Sequence, residues 1–184
     1  MKNKILGFLF ILLILAVIPL VNLNKASISK ALPVFSDNNA NKNSLIAQKA
    51  DATIADNYCD EAVKAVIIIL NTNYKCDKNS FSTSDKKSYN SKTEKYVREL
   101  AGKHIVYKGK ISPVPYFRYS KGYTATSAKY PYIKNSACPW DCGKNSDNIE
   151  GVSLNSLNEL CKNGLNAEQA LKHFLSDIEI KTTR

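Results

Sequence analysis

Histidine is nearly absent from this chain. His104 and His173 are the only two in 184 residues. Both fall in patterned elements, where an imidazole serves structure or lies at the surface. The stretch Cys138-Pro139-Trp140-Asp141-Cys142 has close cysteine spacing, but neither a His nor a second cysteine pair stands nearby to complete a tetrahedral zinc site. No metal and no cofactor is expected. No cysteine precedes Cys59, which excludes a lipid-modified N-terminal cysteine. Acidic residues are few as well, with Asp+Glu 16 against Lys+Arg 26. The lysines are scattered among Asn and Ser and form no aromatic-studded patch, so a nucleic-acid partner is not expected. The sequence contains no internal repeat.

A long apolar run is present. Ile5 to Leu23 is apolar apart from Asn22, about long enough to cross a bilayer, with Lys2 and Lys4 before it. Lysines on that side favour a cytoplasmic N-terminus with the remainder exported. A cleaved signal peptide is the rival reading, although Ser29-Lys30-Ala31 is a poor cleavage site and lies well past the run. The expected organisation is a membrane anchor at 1–24, a flexible linker at 25–55 and an exported domain at 56–184. The domain would sit at the cell membrane as a single-pass protein, on the extracytoplasmic side. A basic exported surface suits an anionic cell wall, and it is equally what a solvated lysine-rich surface without a partner looks like.

Five cysteines in an exported domain invite disulfides, but the number is odd. Cys59 and Cys76 bracket a predicted helix. Such a helix of roughly 15 residues is over 20 Å long, too far for a bridge unless the helix stops early. The pairing among Cys59, Cys76, Cys138, Cys142 and Cys161 stays open.

The domain reads as a small α+β fold. Glu61-Ala62-Val63-Lys64-Ala65-Val66-Ile67-Ile68-Ile69-Leu70 predicts a central buried helix, with Asp60 and Glu61 at the positive end of its dipole. Residues 75–90 are polar and predict a loop. Ser91-Lys92-Thr93-Glu94 is a capping-box pattern before Tyr96, Val97, Leu100 and Ala101 at helical spacing, stopped by Gly102. The period then changes to two. His104–Tyr107 and Ile111–Tyr119 flank Lys108-Gly109-Lys110 and predict a β-hairpin or small antiparallel sheet, the prolines marking an edge strand. Residues 120–150 lack periodicity, and loops of that length are functional or disordered. Two C-terminal helices follow, one around Leu154, Leu157, Leu160 and Cys161, ended by Gly164, the other capped by Asn166 with Gln169 at its third position.

Taken alone, Glu61 is an ordinary first-turn acid. The helix terminus lowers its pKa, whereas a general acid needs an apolar surround that keeps the carboxyl protonated. Four stretches together say more: Glu61-Ala62-Val63-Lys64-Ala65, Gly102 to Lys110, Ser120-Lys121-Gly122-Tyr123-Thr124, and Gly151-Val152-Ser153 followed by Leu171-Lys172-His173-Phe174. In this order and spacing the set resembles the stage II sporulation protein D family, across about residues 56–180. That family contains peptidoglycan lytic transglycosylases of spore formation and related amidase-enhancer domains. The resemblance implies Glu61 as the catalytic acid and base, and Ser120, Gly122, Tyr123 and Thr124 as substrate contacts. It implies cleavage of peptidoglycan glycan strands by one carboxyl, unlike the two-carboxylate arrangement of most glycosidases. A sporulation cell-wall hydrolase complex would be the setting. The chain departs from the family's pattern at Asn71, where the family has Arg, at Glu150, where it often has His, and at Phe117, where some relatives have a zinc-holding His. A second reading therefore stands beside the first: a catalytically degenerate, membrane-anchored glycan-binding or scaffold domain.

Overall fold

The computed structural model describes residues 37–81, 90–146 and 149–183. The expected anchor at 1–24, the first part of the linker and residues 82–89 of the polar loop lie outside the described residues. Among the described residues, no helix is long and apolar enough to cross a membrane.

The fold is α+β, with five α-helices and a small antiparallel sheet among the described residues. The helices are α1 (Asp37–Thr53), α2 (Asp60–Cys76), α3 (Ser91–Glu99), α4 (Leu154–Lys162) and α5 (Ala167–Phe174). The strands are β1 (Lys103–Tyr107), β2 (Lys110–Ile111), β3 (Tyr116–Phe117), β4 (Val152–Ser153) and β5 (Ile178–Thr182). β1 is central in the sheet order β2-β1-β5, and β3 pairs in parallel with β4 as a separate ribbon.

α2 is the hub. It packs against β1, α3, α4 and α5. Ala62, Val63 and every residue from Ala65 to Thr72 are buried. β-branched residues from Val66 to Ile69 have modest helix propensity, but burial on every side outweighs it. The polar end of α2 is equally built in. The buried Asn71 donates from Nδ2 to Leu100 O at 3.0 Å. Thr72 donates to Ile68 O at 2.6 Å and accepts from Ile105 N at 2.9 Å, joining the helix to β1. The Asn73 amide donates to Val114 O (2.9 Å) and accepts from Val114 N (2.7 Å). The resemblance marks Asn71 as a lost Arg; in this fold it holds the exit of α3.

Several expectations need correction. The linker expected at 25–55 is helical from Asp37 to Thr53, and Ile46, Ala47 and Ala50 of α1 are buried in the core. The cap of α3 is Asn90, whose side chain accepts from Lys92 N, one residue before the predicted Ser91. The single strand expected at Ile111–Tyr119 divides. Pro113 and Pro115 have no N–H to give to a ladder, and Val114 N goes to Asn73, so β2 stops at Ile111 and the chain re-pairs at Tyr116 with β4. β5 was not anticipated. It pairs with the whole of β1, Lys103↔Thr182 through Tyr107↔Ile178. The hairpin turn has positive φ at Lys108 (48°) and Gly109 (78°), the geometry whose twist matches paired strands. The capping box of Asn166 and Gln169 forms as expected, with both reciprocal hydrogen bonds present.

Candidate functional site

Glu61 sits in the first turn of α2, with its side chain 35% exposed. Both carboxylate oxygens are engaged. Oε1 accepts from Lys64 Nζ at 2.7 Å, one helical turn on, and Oε2 accepts from Ala167 N at 2.9 Å. Ala167 is the first residue of α5, so Glu61 supplies an anion to that helix's N-terminus from 106 positions away. The Lys64 hydrogen bond, then the Ala167 amide, hold the Glu61 carboxyl below the usual carboxylate range against the opposing effect of burial. An ionised carboxylate in this setting fastens α2 to α5. A general acid requires the opposite electrostatics.

Glu61 does line a surface cleft, with Lys64, Glu99, Lys103, Asn166 and Glu168 among its neighbours. No residue of that cleft comes from 118–146, so the fold does not join Glu61 to the Ser120–Thr124 loop there.

That loop is organised around a buried acid, Asp141. Its Oδ2 accepts from Ser120 N and Ser120 Oγ, each at 2.9 Å, and from Ser153 Oγ at 2.5 Å. Its Oδ1 accepts from Asn155 Nδ2 at 2.8 Å. Ser153 is the N-cap of α4, so the carboxylate fastens the loop to the start of that helix. Burial alone would raise the Asp141 pKa. The four donors outweigh it and hold the carboxyl below its ordinary value. Tyr58, just ahead of α2, is buried in the field of Arg118, Tyr119 and Asp141, and its phenol is pushed up to about 12, first by burial.

The four loop residues predicted to contact substrate separate into inward and outward positions. Ser120 and Thr124 are fully buried. The Ser120 hydroxyl donates to Asp141 and accepts from Gly122 N at 3.2 Å. The Thr124 hydroxyl donates to Lys134 O at 2.8 Å and accepts from Ser136 N at 3.1 Å. Gly122 has φ +96°, and a Cβ there would lie 3.0 Å from Cys142 Sγ, so both its conformation and its surroundings call for glycine. Tyr123 alone faces out, 48% exposed, and Trp140 is 39% exposed on the same loop system. Cys138 N bonds to Gly122 O at 2.8 Å and draws these two parts of the loop together. The Arg118 guanidinium and Lys144 Nζ stand 5.6 and 5.5 Å from the Tyr119 ring centre. Asn155 links the set, its N donating to Arg118 O at 3.1 Å and its Nδ2 to Trp140 O at 3.4 Å.

Sequence reading missed Asp141 as an organising group and Trp140 as a surface ring. The signal was an acid inside an aperiodic loop, with serines 21 positions before and 12 positions after it, a spacing that only the fold makes meaningful. The two histidines have structural contacts: His104 Nδ1 lies 2.8 Å from Gly102 O, and His173 Nε2 2.9 Å from Ala137 O. Among the described residues, no three of the His, Cys, Asp and Glu side chains are grouped to hold a metal ion. No protein-family model matches this chain, and no curated protein matches it.

Proposed function

We propose that this chain is a cell-wall glycan-binding domain, similar in plan to the stage II sporulation protein D family, and that Glu61 fastens its helices together instead of transferring a proton. The observation that carries this reading is the face of the 118–146 loop. Tyr123 and Trp140 are exposed on a loop anchored by Asp141, and Arg118, Lys121 and Lys144 of the same segment are exposed as well. Rings of this kind stack on the C–H faces of pyranoses, and the cations of the segment suit the carboxylates of an anionic wall glycan. A rigid support for exposed rings keeps the ordering cost of binding low.

The test is binding of the full-length protein, in mild detergent, to glycan strands stripped of peptide. Tyr123→Ala together with Trp140→Ala should weaken binding at least about tenfold, since each lost stacking ring is worth about 1 kcal/mol or more. Unchanged affinity in the double variant would sink this reading.

A second reading keeps catalysis. Glu61 is one-third exposed and lines an open cleft, as an acid awaiting substrate would. It would protonate the leaving glycosidic oxygen and then accept the proton of the sugar's 6-hydroxyl, leaving an anhydro end. Substrate would first have to displace Lys64 and the Ala167 amide. Release of anhydro-ended fragments by the wild type and not by Glu61→Gln would establish it over the binding-only reading.

A further inference from the structure

Linear order sets Cys59 against Cys76, but the 17-residue helix α2 keeps them at opposite ends, about 25 Å apart. The fold brings Cys59 a different neighbour. Cys59 N donates to Asn158 Oδ1 at 2.9 Å, and its Sγ lies 3.9 Å from Asn158 O. Cys161 is three positions further along α4, on the same face as Asn158. The Cys59 thiol, 3.9 Å from Asn158 O, is therefore placed at the turn of α4 that carries Cys161. Cys161 is buried in the core, and Cys59 is half-buried against it. Cys138 and Cys142 have other neighbours. Cys138 Sγ lies 3.6 Å from Ser136 O, and Cys142 lies against Gly122.

We propose that Cys59 and Cys161 form a disulfide site that staples the start of α2 to the last turn of α4. Both are free thiols in this structure. Oxidation requires a disulfide donor, such as oxidised glutathione. The half-buried Cys59 is reached first and attacks the donor as thiolate, forming a mixed disulfide and releasing one glutathione thiol. Cys161 then loses its proton and attacks the Cys59 sulfur, releasing the second glutathione. The two cysteines give up two protons and two electrons, and the donor takes them up as two thiols. The Cys161 thiol is pushed up to about 12, first by burial and then by the nearby Cys59 and Glu61, so the second step is the slow one and the mixed disulfide should be trappable.

The staple closes a loop of about 100 residues, the length range in which a cross-link restricts the unfolded chain most. It also sits between the first turn of α2, where Glu61 binds α5, and α4, whose N-terminus supports the Asp141 loop. The test uses the full-length protein in mild detergent, treated with oxidised glutathione, alkylated, digested without reductant and mapped by mass spectrometry. A Cys59–Cys161 linked peptide should dominate, and the melting temperature should rise by on the order of 10 °C, reversibly with reductant. Cys76→Ser should leave both results unchanged. Cys59→Ser, at a half-buried position, should fold normally and lose both the linked peptide and the response to reductant. Recovery of Cys59 and Cys161 both alkylated after oxidation, or a dominant Cys138–Cys142 link, would overturn the proposal, and the wild-type map decides this without any variant.

Discussion

Asp141 and Glu61 each join separate elements, and their chemistry makes the fold sensitive to acid. Asp141 is fully buried with four donors, and its carboxyl is held below its ordinary value. Glu61 is held low by Lys64 and the Ala167 amide. A carboxyl depressed in the folded state contributes stability that is present above its unfolded value, about 3.9 for Asp and 4.3 for Glu, and is lost as pH falls through the folded value. Urea midpoints should therefore be flat from pH 5 to 7 and fall below pH 4. Asp141→Asn keeps the shape but turns an amide NH₂ toward groups that already donate. It should cost about 2–4 kcal/mol at pH 7. That difference should shrink toward pH 3, because the wild-type carboxyl begins to protonate as well. A penalty that stays constant across this range would mean that Asp141 is not ionised in the fold. Glu61 was legible in the sequence as a helix-terminus acid, and its Lys64 partner lies one turn away. Its second partner, the Ala167 amide, is far off in the chain and could not be read.

Elements with strong local chemistry were legible and those made by long-range pairing were not. α2 announced itself by its acidic start and apolar body, the hairpin by Lys108-Gly109, and α5 by its Asn166–Gln169 box. β3 and β4 are two residues each and carry no period at all. β5 has Ile178 and Ile180 on one side, too short an alternation to stand out after a helix, and only β1 makes it a strand. The central place of α2 predicts a large cost for truncation within it. Leu70 is fully buried in the same core as Leu171 and Phe174 of α5. Leu70→Ala should destabilise by about 2–5 kcal/mol in chemical denaturation, the range for a large core side chain cut to a methyl. A loss below about 0.5 kcal/mol would mean that α2 is not the packing centre.

At the scale of the molecule, the core begins earlier than composition suggests. α1 reads as a spacer because Asn, Lys and Ala dominate it, and few apolar residues break the polar run. A helix of that kind has little stability of its own and forms because tertiary packing supports it. Ile46, Ala47 and Ala50 are each buried to 1% exposure or less. Asp51 Oδ2 accepts from Asn90 N at 2.7 Å, so α1 also supports the residue that caps α3. Lys42 Nζ stands 5.9 Å from the Tyr74 ring centre near the far end of α2. A protein beginning at Asp56, the boundary that composition favours, would leave this apolar surface of the core open to water. Burial of one isoleucine and two alanines is worth about 2–4 kcal/mol, so that protein should unfold at a clearly lower urea concentration than one beginning at Asp37. The shorter protein should also bind a hydrophobic dye where the longer one does not. Equal midpoints would show that α1 rests on the domain without contributing to its core. A lower midpoint with unchanged glycan binding would place α1 in the scaffold and leave the Tyr123–Trp140 face to be judged by its own variants.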